Sequence, residues 1–142
     1  MRIKKQYLMI GEVVFLTTIS SPLWADSTKE SNAQKASDVW LSMVDEGRYS
    51  ESWQDASAAF KNAVDESQWE TALTASRKPL GKVLSRKAIS KTYTKTLPGA
   101  PDGEYVVIQY QTCFDNKEAA IETVTPALES DGAWRVSGYY IQ

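Results

Sequence analysis

Two carboxylates and two tyrosines are the side chains in this sequence that could carry acid–base chemistry. Asp45 ends a predicted helix, and Glu122 lies within a predicted strand. A carboxyl group desolvated in an apolar pocket has a raised pKa and can act as a general base, while Tyr110 or Tyr139 could donate a hydrogen bond to an oxyanion. The alternative is that Glu122 pairs with Arg135 or a neighbouring lysine and that Asp45 is solvated. An isomerase- or cyclase-like enzyme therefore requires a buried carboxylate without a cationic neighbour.

The sequence lacks the residues that other catalytic arrangements require. The sequence has no histidine and a single cysteine, Cys113, which excludes Ser-His-Asp and Cys-His catalysis, imidazole metal sites, thiolate zinc cages and an internal disulfide. The segment PGAPDG has no Lys-Ser or Lys-Thr after it and precedes a strand, so it is not a phosphate-binding loop. The sequence predicts no catalytic residue, cofactor or metal, and a non-enzymatic role is the leading interpretation.

The large aromatic content suggests a binding pocket instead. The chain has 5 Trp and 7 Tyr, and a mostly apolar cavity with a few polar groups is the usual form of a small-molecule site. The function predicted is binding of a small hydrophobic ligand or a protein partner. The alternative to a binding role is a structural homodimer formed through the sheet face that carries Tyr105, Val107 and Gln109. The predicted pocket-lining residues are Trp40, Tyr93, Tyr110, Glu122, Trp134 and Tyr139.

One segment is strongly basic and contains no acid. It could form a surface for an anionic ligand, lipid headgroups or an acidic partner. Alternatively, lysines that alternate along an edge strand protect a sheet from pairing with another chain. The basic residues of this segment are Arg77, Lys78, Lys82, Arg86, Lys87, Lys91 and Lys95.

The N-terminal region has the order of a secretory signal peptide. Basic residues come first, residues 7–19 are mostly apolar, and the segment SSPLWA leads to a predicted cleavage after Ala25. The alternative is a membrane anchor that is retained. Cleavage would remove three basic residues and one acid, taking the net charge from −2 to −4 and arguing against nucleic acid as a partner. The sequence predicts an exported protein, periplasmic or extracellular, without a transmembrane span after cleavage.

The periodicity of the mature chain predicts helices followed by strands. After a flexible lead-in at 26–32, a single domain at 33–142 begins with three helices. The first runs from Ala33 and stops near Gly47. The second carries Trp53 and Phe60, with Ser52 and Asp55 as a possible cap, and the third starts at a capping box formed by Asp65 and Gln68.

The second half predicts an antiparallel sheet of about four strands. Segment 83–97 is one or two strands, 97–103 is a turn, and 105–114 alternates so that Val106, Ile108, Tyr110, Thr112 and Phe114 share one face. Further strands are predicted at 121–125 and 134–141. In the last strand Trp134, Val136, Gly138 and Tyr140 are expected on one face, with Arg135, Ser137, Tyr139 and Ile141 on the other. The fold class is α+β, with the helices packed on a bent antiparallel sheet.

Several segments together resemble a bacterial family. AxxxWLxxVDxGxYxxSW (36–53), RKPLG (77–81), SRK (85–87), LPGAPDGEYVVIQY (97–110), ETVTP (122–126) and GAWRVSGYYI (132–141) are similar to the domain of unknown function 4019 family. The resemblance covers nearly all of the mature chain. It implies an exported bacterial protein with a cystatin-like or nuclear-transport-factor-2-like fold, often dimeric, and it assigns no activity or catalytic residue.

Overall fold

Helices precede strands along the chain, as the sequence predicts. The computed structural model describes residues 23–142, and the predicted signal peptide at 1–25 lies almost entirely outside them. The observed order confirms the α+β class. The helices are α1 (Leu23–Asp45), α2 (Tyr49–Gln54), α3 (Ala58–Ala63) and α4 (Glu66–Ser76), followed by one 3-10 turn (Lys78–Leu80). The strands are β1 (Val83–Thr94), β2 (Tyr105–Phe114), β3 (Lys117–Leu128) and β4 (Trp134–Ile141).

Helix α1 begins earlier than its apolar periodicity indicates. It includes residues 26–32, which the structure places in a helix rather than in a flexible lead-in. Two contacts hold this polar segment on the sheet: Lys29 pairs with Glu104 at 2.5 Å, and Glu30 accepts a hydrogen bond from the backbone N–H of Tyr93 at 3.4 Å. The helix therefore extends beyond its apolar stripe because its first turns have polar partners on β1 and on the segment that precedes β2.

The second predicted helix is divided into α2 and α3. The expected cap at Ser52 is wrong, because Ser52 is buried inside α2 and its hydroxyl donates to the carbonyl of Tyr49 at 2.6 Å. Ser57 is the cap instead, accepting a hydrogen bond from the N–H of Phe60 at 3.1 Å and starting α3. The capping box of Asp65 and Gln68 at the start of α4 is confirmed.

The four strands form one antiparallel meander in the order β1-β2-β3-β4, so β1 and β4 are the edge strands. The alternation predicted for β2 is confirmed, since the five residues assigned to one face are all buried. The helices pack on that face and contact all four strands. The core cluster includes Trp40, Leu41, Val44, Phe60, Trp69, Leu73, Val106, Ile108, Tyr110, Val124 and Val136.

Strand β4 does not keep a uniform alternation. Its pairing with β3 shifts at Ser137, which is the extra residue of a β-bulge. Val136 is buried on the helix side, and after the bulge it is Tyr139, not Tyr140, that packs against the core. Tyr140 is 52% exposed. The prediction that Tyr140 shares a face with Trp134 and Val136 is therefore wrong, because one inserted residue reverses the alternation beyond it.

Candidate functional site

A network of charged side chains is buried between α1 and the sheet, and Glu122 of β3 is at its centre. Glu122 is fully buried and accepts three hydrogen bonds. Arg86 Nε and Thr112 Oγ1 donate to its Oε1 at 2.8 and 2.6 Å, and the Tyr139 hydroxyl donates to its Oε2 at 2.5 Å. The donors come from β1, β2 and β4, so this carboxylate joins all four strands of the sheet.

Arg86 connects Glu122 to the last residue of α1. Its two terminal nitrogens bind both oxygens of Asp45, with Nη1–Oδ2 at 2.7 Å and Nη2–Oδ1 at 2.9 Å. Arg77 adds a second cation, with Nη2 at 3.2 Å from Asp45 Oδ1 and Nη1 donating to the carbonyl of Gly81 at 2.8 Å. Two carboxylates and two guanidinium groups therefore share this interior, and their formal charges cancel.

The surroundings shift the pKa values of the network's titratable partners. Burial alone would lower the pKa of Arg86, but the hydrogen bonds and charges of Asp45 and Glu122 raise it above its ordinary value. The pKa of Tyr139 is raised, first by burial and then by the negative charge of Glu122 beside it. The network is therefore held with Arg86 charged and Tyr139 protonated, so both groups can donate hydrogen bonds to Glu122.

This geometry does not suit a general base. An isomerase- or cyclase-like role requires Glu122 or Asp45 to be buried without a cationic neighbour, and both are ion-paired with Arg86. The expected ion pair between Glu122 and Arg135 is wrong, because Arg135 pairs with Glu129 and Asp131 at the surface. Asp45 is not a solvated helix end either. The enzymatic hypothesis requires a buried carboxylate without a cation beside it, and neither Glu122 nor Asp45 meets this condition.

Aromatic rings fill the space between the helices and the centre of the sheet. Trp40 lies 5.9 Å from Trp69 and 5.2 Å from Tyr139, centroid to centroid, and Phe60 lies edge-on to Trp69 at 4.9 Å. Their polar atoms are used inside the protein, since Trp40 Nε1 donates to the Ser52 carbonyl at 2.8 Å. These rings are a packed core at this position.

The six predicted lining residues do not form one pocket. Trp40 and Trp134 share a cleft, whereas Glu122 and Tyr139 belong to the ionic network. Tyr110 is 2% exposed and donates its hydroxyl hydrogen to Asp38 at 2.8 Å. Five of the six side chains expected to line a single cavity are therefore distributed among three places.

The sixth predicted residue and the proposed dimer face also have partners within the chain. Tyr93 donates its hydroxyl hydrogen to Glu104 at 2.7 Å, near the start of α1. On the dimer face Tyr105 is 7% exposed, and its hydroxyl donates to the carbonyl of Pro101. Val107 and Gln109 remain partly exposed there. A homodimer through this face stays a prediction, without Tyr105 as a main contact.

The α1–β4 cleft has a volume of about 440 Å³ and lies between the middle of α1 and the first residues of β4. Val39 forms one wall and is 61% exposed, so the cleft presents an aliphatic side chain to solvent beside two tryptophans. Trp134 is partly buried and packs against the core. The apolar lining residues are Ala36, Val39, Trp40, Trp134 and Val136.

Charged side chains surround this apolar floor. Lys35, Asp55 and Arg135 also line the α1–β4 cleft. Arg135 pairs with Glu129 and with Asp131. The hydrogen bonds that Asp131 accepts from Arg135 and from the backbone N–H of Ala133 lower the pKa of Asp131 to about 2. Lys35 and Asp55 are exposed and form no ion pair within residues 23–142, which leaves one cation and one anion available to a ligand.

A second, more polar cleft of about 370 Å³ opens over the solvent side of the ionic network. Asp45 and Arg77 form its inner wall, and Lys78, Lys82 and Asp115 lie around it. Acidic and basic groups are mixed there, so the cleft has no clear preference for one charge. Within the described part of the chain, no group of three or more His, Cys, Asp or Glu side chains could hold a metal ion.

Sequence reasoning missed the residues that organise both sites. Arg77 and Arg86 were grouped with a solvent-facing basic segment, although 3% and 15% of their side chains are exposed. No local pattern marks Arg86, because its place opposite Thr112 on the buried face follows from the register between β1 and β2. Val39 had a weak signal: it is an apolar residue outside the helical stripe of Ala33, Ala36 and Trp40.

A family model matches residues 36–139, which include α1 from its middle, the other helices and nearly the whole sheet. The chain belongs to the DUF4019 family, described as proteins of unknown function. A search of curated proteins finds no match. For this DUF4019 protein, no helix among residues 23–142 is long and apolar enough to cross a membrane.

Proposed function

We propose that this DUF4019 protein is a non-enzymatic binding domain of an exported protein, and that it holds an apolar ligand or an apolar side chain of a partner in the α1–β4 cleft. The single observation that carries the proposal is the exposure of Val39 on the wall of a cleft whose floor is formed by two tryptophans. Covering the exposed part of the Val39 side chain contributes about 1–2 kcal/mol, which a ligand in this cleft would gain.

The ionic network supports binding rather than catalysis. It fixes the C-terminal end of α1 to the sheet through Asp45 and Arg86, while the cleft lies near the middle of the same helix. A preorganised cleft wall lowers the ordering cost that a ligand must offset. The free charges of Lys35 and Asp55 at the rim favour a ligand that carries polar groups at its ends.

A thermal-shift screen with hydrophobic metabolites and lipids tests the proposal. Compounds that raise the melting temperature of the wild type should lose this effect in Val39→Glu, because a charged side chain then lines the apolar wall. Leu84→Glu is the matched control, since Leu84 is equally exposed, at 63%, but lies on β1 away from the cleft. Equal shifts in Val39→Glu and Leu84→Glu, or no shift with any compound, would overturn the proposal.

A further inference from the structure

The face of the sheet that points away from the helices carries almost no charge. The alternation of β2 turns Gln109 to the side opposite the buried residues that meet the helices, and residues paired across strands share a face. Gln109 pairs with one residue of β1 and one of β3, and the residue of β3 pairs in turn with β4. The four residues of this line, here called the central row, are Ser90, Gln109, Thr123 and Tyr140.

The two neighbouring rows on the same face have a similar composition. One row is Thr92, Val107, Thr125 and Gly138. The other row is Lys87, Gln111 and Ile121. Lys87 is the one charged residue in the three rows, and it lies on an edge strand. Since 24% of the chain is charged and charged residues collect at protein surfaces, this part of the surface is depleted of charge.

The side chains of this outer face already pack against one another. Thr123 is 4% exposed although it points away from the helix layer, and its hydroxyl has no hydrogen-bond partner among the residues that the structure describes. The surrounding side chains of the same face therefore exclude water from it. Because β-branched threonine and valine side chains also have few rotamers, a partner would meet a surface that is largely ordered before it binds.

A surface of this composition suits a second copy of the same chain. In a two-fold interface a patch meets itself, so a charged patch would meet its own charge, whereas serine, threonine and glutamine carry both donors and acceptors and can pair with their own kind. Val107 and Ile121 are partly exposed and Tyr140 is 52% exposed, which adds apolar and aromatic area. Depletion of charge together with exposed tyrosine is typical of the centre of a protein interface.

The outer face is also large enough for a modest two-fold interface. Four strands about 4.8 Å apart and the 10 residues of β2 at about 3.3 Å each give a face of roughly 19 Å by 33 Å, or roughly 600 Å² in projection. The accessible area is larger than the projection because the side chains give the face relief. A standard interface uses about 800 Å² from each partner, which this face approaches.

We infer that two copies of the chain pack sheet on sheet through the outer face, with the central rows around the two-fold axis. Sheets that pack in this way lie about 10 Å apart and interdigitate the side chains of their facing surfaces. Both copies carry the same net charge, so close contact costs least where charged residues are few. This contact uses the side of the sheet opposite the helices and goes beyond the binding proposed for the α1–β4 cleft.

Sedimentation velocity of the full chain over a concentration series tests the inference. The wild type should show a monomer–dimer equilibrium. Gln109→Lys brings two ammonium groups together near the axis and should weaken the dimer at least about tenfold, because like charges at an interface repel. Gln54→Lys is the matched control: it makes the same substitution at an exposed residue of α2 in the helix layer, and it should associate as the wild type does.

A mixing experiment separates loss of the contact from loss of the fold. Gln109→Glu should also be weakened alone, but an equimolar mixture of Gln109→Glu and Gln109→Lys should form a heterodimer, because opposite charges then meet across the axis. A monomeric wild type, equal association of Gln109→Lys and the wild type, or the absence of a heterodimer in the mixture would overturn the inference. A monomeric wild type that binds dextran, with binding lost in Tyr140→Ala, would overturn it in favour of a neutral polysaccharide on the same face.

Discussion

At the scale of single residues, Arg86 does what a lysine at the same position could not do. Its planar guanidinium donates through both terminal nitrogens to Asp45 and through Nε to Glu122. A lysine has one compact ammonium group and cannot present a fixed fork to two carboxylates. The buried Glu122 is tolerated because this cation and two hydroxyl donors replace the water that it loses on folding.

Removal of Arg86 should therefore be far more damaging than removal of a surface arginine. We expect Arg86→Met to lower the free energy of unfolding by about 3–5 kcal/mol, because it leaves Glu122 buried without its cation. Arg135→Met is the matched control: Arg135 also binds two carboxylates, but solvent screens this surface pair, and the loss of stability should be much smaller than for Arg86→Met. Urea unfolding measures both, and similar losses for the two variants would contradict a special role for the buried network.

At the scale of secondary structure, the sequence predicted elements whose signals are local. The capping box of Asp65 and Gln68 and the alternation of β2 depend on residues a few positions apart, and both are confirmed. The bulge at Ser137 could not be predicted, since it depends on pairing with β3 and with α3: the Ser57 N–H donates to the Val136 carbonyl at 2.9 Å, and the two serine hydroxyls are 2.9 Å apart.

The candidate site was predictable in part for the same reason. Four of the side chains expected in the pocket, Glu122, Tyr139, Trp40 and Trp134, are buried or packed against the core, although the alternation predicted for β4 places Trp134 and Tyr139 on opposite faces. The sequence could not show that the first two join an ionic network while the last two line a cleft. That division is decided by the bulge in β4 and by long-range contacts with α1, which no local pattern records.

The division between α2 and α3 gives a prediction at this scale. Ser57→Ala should lower the free energy of unfolding by about 1–2 kcal/mol, because it removes the cap of α3 and the contact with Ser137. Asp55→Ala is the control, since Asp55 was expected to cap a helix but its side chain makes no hydrogen bond within residues 23–142; its effect should be a few tenths of a kcal/mol. Denaturant unfolding of both variants checks this, and a larger loss for Asp55→Ala would favour the sequence-based cap.

At the scale of the whole molecule, α1 is fixed to the sheet at both ends and at its centre. Lys29 pairs with Glu104 near its start, Asp38 accepts the hydroxyl hydrogen of Tyr110 in the middle, and Asp45 joins the ionic network at its end. Because these contacts link one helix to all four strands, we expect loss of any strand to expose the network and the aromatic core together. The buried tyrosines are therefore reporters of the global fold.

Alkaline pH should destabilise the folded protein through these tyrosines. Burial raises the pKa of Tyr110 and of Tyr139 above the ordinary value of 10.0, with Asp38 and Glu122 adding to the effect. Below about pH 10 both groups are protonated in the folded and the unfolded chain, so they do not alter stability with pH. Above about pH 10 only the unfolded chain ionises, and the free energy of unfolding should fall by up to about 1.4 kcal/mol per pH unit for each tyrosine.

Urea unfolding over a pH series measures this slope, and single phenylalanine variants assign it. Tyr139→Phe removes the titrating hydroxyl, so it should make the alkaline slope shallower even though the loss of a donor to Glu122 lowers stability at neutral pH. Tyr140→Phe, at a side chain that is 52% exposed, should keep the wild-type slope. Other groups that titrate in this range, such as Lys29, are common to every variant and cancel in the comparison. If the alkaline slope of the unfolding free energy were unchanged in Tyr139→Phe, the Tyr139 hydroxyl of the wild type would have to ionise in the folded protein. The closed arrangement of Glu122, Arg86 and the aromatic core does not permit that.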